Sequence, residues 1–225
     1  MPSPARIQAL LLDLDGTVAD THDLIHQCLD ETARAHLGVG FPRALWARHV
    51  GIPLADLFSL VRPADAHSAP TVDVLVDSYR QRQERDEHRL RAFPGIASVL
   101  AVLRRRGVRL AIVTTKLHAV AQRHVAAIGL ATGFDALVGF DDCLRAKPDA
   151  EPFRKALQAL AVPPTAAAAV GDSPVDIHGA RAAGATTIAA LWGTADRGAV
   201  LAAHPDHVLD TPEQLLHLFT PEDGA

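Results

Sequence analysis

IQALLLDLDGTVAD, residues 7–20, joins an apolar run to two carboxylates, Asp13 and Asp15, with one leucine between them. A strand covered on both faces reads as such a continuous apolar run. Carboxylates at its end are costly to bury without a partner. The pair therefore needs a cation or a chemical task, and the rest of the chain is read for both.

Working outward, short apolar runs recur at 108–113, 134–139, 166–170, 185–191 and 206–209. Between them, 96–106, 117–128, 152–160 and 175–183 carry helix-like spacing of apolar positions. Gly107, Gly129 and Gly184 each follow such a stretch, where a left-handed residue ends a helix. This alternation predicts an α/β fold, a doubly wound, mostly parallel sheet covered on both faces. One segment breaks the rhythm. After the first strand come helical patterns at 20–37, 42–49, 53–61 and 71–88, and PGI at 94–96 restarts the alternation. A helical insert is predicted there, joined through 16–19 and 90–93.

The chain has 225 residues, 48% hydrophobic and 21% charged, with a net charge of −4. That balance speaks against a general nucleic-acid binder. Cys28 and Cys143 fit no zinc spacing and are expected as free thiols in a reducing, cytoplasmic setting. The N-terminus lacks a signal-peptide pattern, and no apolar run reaches membrane-spanning length. No nucleic-acid or membrane partner is expected, and the expected state is monomer or homodimer.

In doubly wound sheets, ligands bind beyond the carboxyl ends of the strands. There the chain places Asp13, Asp15, Gly16 and Thr17; then Thr114, Thr115 and Lys116; then Asp141, Asp142 and Lys147; then Gly171, Asp172, Ser173 and Asp176. Clustered carboxylates raise one another's pKa unless a cation compensates. Oxygen ligands without histidine or cysteine suit Mg²⁺. Magnesium among carboxylates, with a lysine and a hydroxyl, suits a phosphate monoester. Taken singly, each element has a plainer role as a turn, a helix cap or a solvated charge; their coincidence favours the chemical reading. HDLIH at 22–26 puts His22 and His26 at i, i+4, superficially a zinc motif, but no third ligand is evident. His22 is instead expected to line the cleft, and His118 is a further histidine to follow. In the insert, Arg48, His49, Arg62 and Arg80 are candidates to read an anionic group on the substrate.

DLDGTVAD, VTTK, AKPD and GDSPVDI resemble, in order, the four signature motifs of the haloacid dehalogenase superfamily. GIPLADLF, PGI and LWGTADRG add a likeness to its phosphoglycolate phosphatase-like group, whose type-1 helical cap sits where the insert lies. The resemblance implies a core of residues 1–17 and 91–225 and a cap of 18–90. It implies a phosphatase acting through an aspartyl-phosphate, with Asp13 as nucleophile and Asp15 as general acid and base. Mg²⁺ is then held by Asp13, the Asp15 backbone carbonyl and Asp172, with Asp176 either a ligand or a support. Thr114 bonds the phosphate and Lys147 offsets its charge; Leu14, Gly16 and Thr17 offer amides, and Thr115 and Lys116 complete the phosphate site. Thr115 and Ala150 depart from the group's usual asparagine and proline. A β-phosphoglucomutase-like transferase is the nearest alternative, but it commonly carries valine at Thr17. A phosphate-receiver domain would have neither the insert nor Asp15.

Overall fold

The computed structural model describes residues 7–63 and 70–219. Residues 1–6, on which part of the reading of the N-terminus rests, lie outside it. Six parallel strands form one sheet: β1 (Ala9–Leu12), β2 (Arg109–Val113), β3 (Ala136–Val138), β4 (Ala167–Gly171), β5 (Thr186–Ala190) and β6 (His207–Leu209), in the order β3-β2-β1-β4-β5-β6. β1 is central, which explains its unbroken apolar run, since all four of its residues are fully buried. Leu12 pairs with Ile112 on one side and Val170 on the other. Five of the strands are shorter than the apolar runs that announced them, while β4 keeps the length of its run and lies one residue further on.

The helices cover both faces. Leu10 and Leu12 pack against Ile96, Leu100 and Leu103 of α5, which follows the insert at Ile96–Arg105. Ala9 and Leu11 pack on the opposite side against Phe153 and Leu157, from the later helix Glu151–Leu160. The glycines at 107, 129 and 184 have φ of +79°, +78° and +87°, as the helix-end reading requires.

Among the described residues between β1 and α5 stand four helices, α1 (His22–Leu37), α2 (Arg43–Ala47), α3 (Leu54–Ser59) and α4 (Val72–Arg85), and a short 3₁₀ turn at Glu87–Arg89. The 71–88 pattern thus ends early: Asp86 leaves the helical region before that turn. These helices have a core of their own, centred on Phe41, Phe58, Leu75 and Tyr79. Burying an apolar side chain of this size is worth roughly 1.5–3 kcal/mol. The two connections run side by side, with Asp20 N–H donating to Arg91 O at 2.9 Å and Phe93 N–H to Val18 O at 3.0 Å. α6 (His118–Ala127), α7 (Glu151–Leu160), α8 (Pro174–Ala183), α9 (Arg197–Ala202) and α10 (Leu215–Leu218) follow among the described residues. The chain winds outward from β1 through β2 to β3, then returns to β4. The crevice between the carboxyl ends of β1 and β4 is therefore a topological switch point.

Candidate active site

At that switch point Asp13 continues β1, its amide donating to Val170 O at 3.0 Å, and Asp172 follows β4. Asp176 lies in the first turn of α8, where it caps the helix: one of its oxygens accepts from Ser173 N at 3.2 Å and Ser173 Oγ at 2.5 Å. Its other oxygen accepts from Lys147 Nζ at 2.6 Å, and the same ammonium donates to Asp13 at 2.7 Å. Lys147 is only 3% exposed. Burial alone would lower its pKa, but Asp13 and Asp176 outweigh burial and hold it above the ordinary lysine value.

One lysine does not neutralise the cluster. Burial pushes the Asp13 carboxyl well above its usual range; Lys147 opposes this, while Asp176, Asp172 and Asp15 add to it. Asp172 is raised as well, by burial, with His22 acting against it. One oxygen of Asp172 accepts from Thr17 Oγ at 3.4 Å. The other, Oδ2, lies 3.2 Å from His22 Nε2, yet neither atom makes a well-aligned hydrogen bond. Asp13, Asp172 and Asp176 can each offer an oxygen within 4.8 Å of the others, the one such ligand group among the described residues. Buried, acid-rich, with an orphaned oxygen and no sulfur or nitrogen donor, this set fits a hard divalent cation.

Asp15 differs. Thr21 Oγ donates to one of its oxygens at 2.6 Å, and Lys116 Nζ lies 2.9 Å from the other. Burial would raise its pKa, but Lys116 and Thr21 prevail and hold the carboxyl below its usual range. The Thr21 hydroxyl is thereby drawn away from capping α1, where it makes no cap bond.

Several expectations need correction. Asp141 and Asp142 do not join the cluster; they accept from the His118 backbone N–H and pair with its ring, at 2.6 and 2.7 Å, and so fix the start of α6. Gly16 does not offer its amide to a phosphate, because that N–H donates to Ala19 O at 2.9 Å. Leu14 buries its side chain in the core, which leaves the expectation for its amide unchanged. Thr115 and Lys116 do line the cleft, while the hydroxyl of the buried Thr114 accepts from Lys116 N at 3.2 Å. His26 binds Phe41 O at 3.0 Å, while His22 turns to the cleft and faces Asp172, as the cleft reading expects. Of the four insert candidates only Arg80 lines the cavity.

Gly16 serves by conformation instead. Its φ is +77°, and a Cβ there would come within 2.4 Å of Asp172 Oδ2 and 2.5 Å of His22 Nε2. Gly16→Ala is therefore expected to displace both side chains and lower turnover about tenfold to a hundredfold, the scale of an ångström-level misplacement. Steady-state kinetics beside a thermal melt check this; wild-type turnover would remove Gly16 from the site. From the far side, Trp192 Nε1 donates to Thr17 O at 2.9 Å and braces the loop after β1. No local pattern announces that contact.

The insert closes over these groups. Gly51, whose missing side chain leaves room for Ser173 and Val175, presses the loop after α2 onto the start of α8. Beneath it lies a cavity of about 460 Å³, lined by Asp13, Asp15, His22, Lys116, Lys147 and Asp172 below and by Tyr79, Arg80 and Gln83 above.

The haloacid dehalogenase-like hydrolase family matches residues 10–190, from β1 through the end of β5. The chain belongs to that family. It is similar to pyrophosphatase PpaX of Halalkalibacterium halodurans, 33% identical over 215 residues, covering 94% of this chain and 96% of that protein. Among solved structures it resembles a haloacid dehalogenase-like hydrolase from Streptococcus pneumoniae, with a TM-score of 0.82, 29% identity and 95% and 99% of the two chains covered. It also resembles CbbY from Rhodobacter sphaeroides in complex with phosphate, with a TM-score of 0.81, 27% identity and coverage of 93% and 96%. As an enzyme of this hydrolase family, the chain carries the family's doubly wound core. No helix among the described residues is long and apolar enough to cross a membrane.

Proposed function

We propose that this enzyme is a Mg²⁺-dependent phosphatase that hydrolyses a small phosphorylated metabolite through a phosphoryl group carried on Asp13. The observation that supports it best is Lys147 bridging Asp13 and Asp176 while the Asp172 oxygen beside them stays unbonded. Asp13, Asp172 and the Asp15 carbonyl would hold the ion. Asp176, with both oxygens engaged, supports from behind. When bound, the cation supplies charge neutralisation for the carboxylates and the phosphoryl oxygens.

The rest is done by the chain. An Asp13 oxygen attacks phosphorus, the bond to the leaving oxygen breaks, and that oxygen takes a proton from Asp15. A water then attacks phosphorus, gives its proton to Asp15, and the Asp13–phosphorus bond breaks. Lys147 donates to Asp13 and opposes the protonation that burial favours there. The helical insert, read as a cap, excludes bulk water during both steps. The relatives named as pyrophosphatases support phosphoryl chemistry at this site without fixing the leaving group.

Chelation tests the reading. EDTA is expected to lower turnover of a phosphate monoester at least about tenfold, with Mg²⁺ restoring it and Ca²⁺, with its looser coordination, restoring little. Undiminished activity in chelator would remove the metal from the proposal.

A further inference from the structure

Resting on that phosphatase reading, we propose that the leaving group is uncharged and carries an apolar face of aryl or nucleoside size, rather than a second phosphate or a carboxylate. The cavity above Asp13 is about 460 Å³. At roughly 30 Å³ per water, that is room for about fifteen waters, much more than a phosphoryl group needs. Its upper walls are apolar: Ile25, Ile52, Leu54 and Val76 from the insert face Leu117 and Phe140 from the core.

The charges point the same way. Four basic side chains line the cavity, and each already has an acidic neighbour. Lys147 holds Asp13 and Asp176, and Lys116 holds Asp15. His22 faces Asp172, and Arg80 lies 3.7 Å from Asp77. Besides His22, which already faces Asp172, the insert's charged lining is Asp73, Asp77 and Arg80, one negative charge in excess. An anionic leaving group would therefore meet like charge where it needs a counterion.

What the insert does offer is a neutral polar pair. Gln83 Nε2 donates to the Tyr79 hydroxyl oxygen at 2.9 Å, and both residues are buried while lining the cavity. Phe58 holds the Tyr79 ring edge-on from behind, with centroids 6.2 Å apart. The Tyr79 proton and Gln83 Oε1 have no hydrogen-bond partner among the described residues. They are placed to read a hydroxyl or carbonyl at the far end of the leaving group, and a site built that way discriminates strongly against ligands that leave it unpaired.

Two matched substrate pairs test the proposal with the full-length enzyme in Mg²⁺. Phenyl and 2-naphthyl phosphate have leaving groups of similar acidity and differ in apolar area. Phosphoglycolate and its amide, phosphoglycolamide, differ by the carboxylate charge. The expected kcat/KM is at least about tenfold higher for the naphthyl ester and for the amide, with inorganic pyrophosphate below all four. Asp77→Asn, which frees Arg80 at an exposed position, should raise the ratio of phosphoglycolate to phosphoglycolamide turnover. Failure of either pair to separate, or pyrophosphate as the best substrate, overturns the leaving-group proposal. In that event Asp13 would still be phosphorylated in acid-quenched samples, so the phosphatase reading stands. No turnover of any of the five compounds, with no phosphoryl group on Asp13, overturns the phosphatase reading itself.

Discussion

Asp13→Asn is expected to lower kcat/KM about 10⁴-fold or more, the scale on which removing a nucleophile acts when its partners remain. An amide cannot form the acyl-phosphate bond, and it is a poorer ligand for a hard cation. The protein itself should survive the change. Asp13 is a partly buried carboxylate among three others, and desolvation together with their repulsion already drives its pKa up. Removing its charge relieves that repulsion, while Lys147 keeps its bond to Asp176. The melting temperature of the metal-free variant is thus expected at or above that of the wild type. Kinetics, a thermal melt and the mass of the acid-quenched protein decide the matter. A folded variant retaining a tenth of the wild-type rate would exclude Asp13 as the nucleophile.

The legible part of this site is the part written in contiguous residues. An apolar run ending in Asp13 and Asp15, and a second ending in Asp172 with Asp176 in the next helical turn, both lie at strand ends that a parallel sheet must bring to one edge. Lys147 was legible as a cation near that edge, although its double bond to Asp13 and Asp176 spans 134 residues in one direction and 29 in the other. The misreadings concern where side chains and amides point. Asp141 and Asp142 stand just beyond β3 as predicted, but they turn to the exposed start of α6. The Gly16 amide is consumed by the tight turn that its own left-handed conformation permits. Tyr79 and Gln83 read as ordinary residues of an amphipathic helix. Their meeting with the cleft depends on how α4 docks over the sheet, which no local pattern encodes.

Asp15→Asn separates a carboxylate that transfers protons from one that merely braces the loop. In the resting structure its two oxygens are held by Thr21 and Lys116, at 2.6 and 2.9 Å. Those contacts keep the group ionised, as a base for the attacking water must be. To protonate a leaving oxygen the same group must first take up a proton and loosen its hold on Lys116. An asparagine keeps a carbonyl to accept from Thr21 but can neither give nor take the proton. General acid–base help is typically worth about 10²–10⁴-fold, so esters of poorly acidic alcohols should lose that much in kcat/KM. For p-nitrophenyl phosphate the first step should lose far less, because its leaving group departs with little protonation. The second step would still lack its base, so a phosphoryl group should accumulate on Asp13 during turnover and appear by mass spectrometry after acid quench. A merely structural Asp15 predicts the opposite pattern: equal losses for both substrates, a lowered melting temperature and no trapped intermediate.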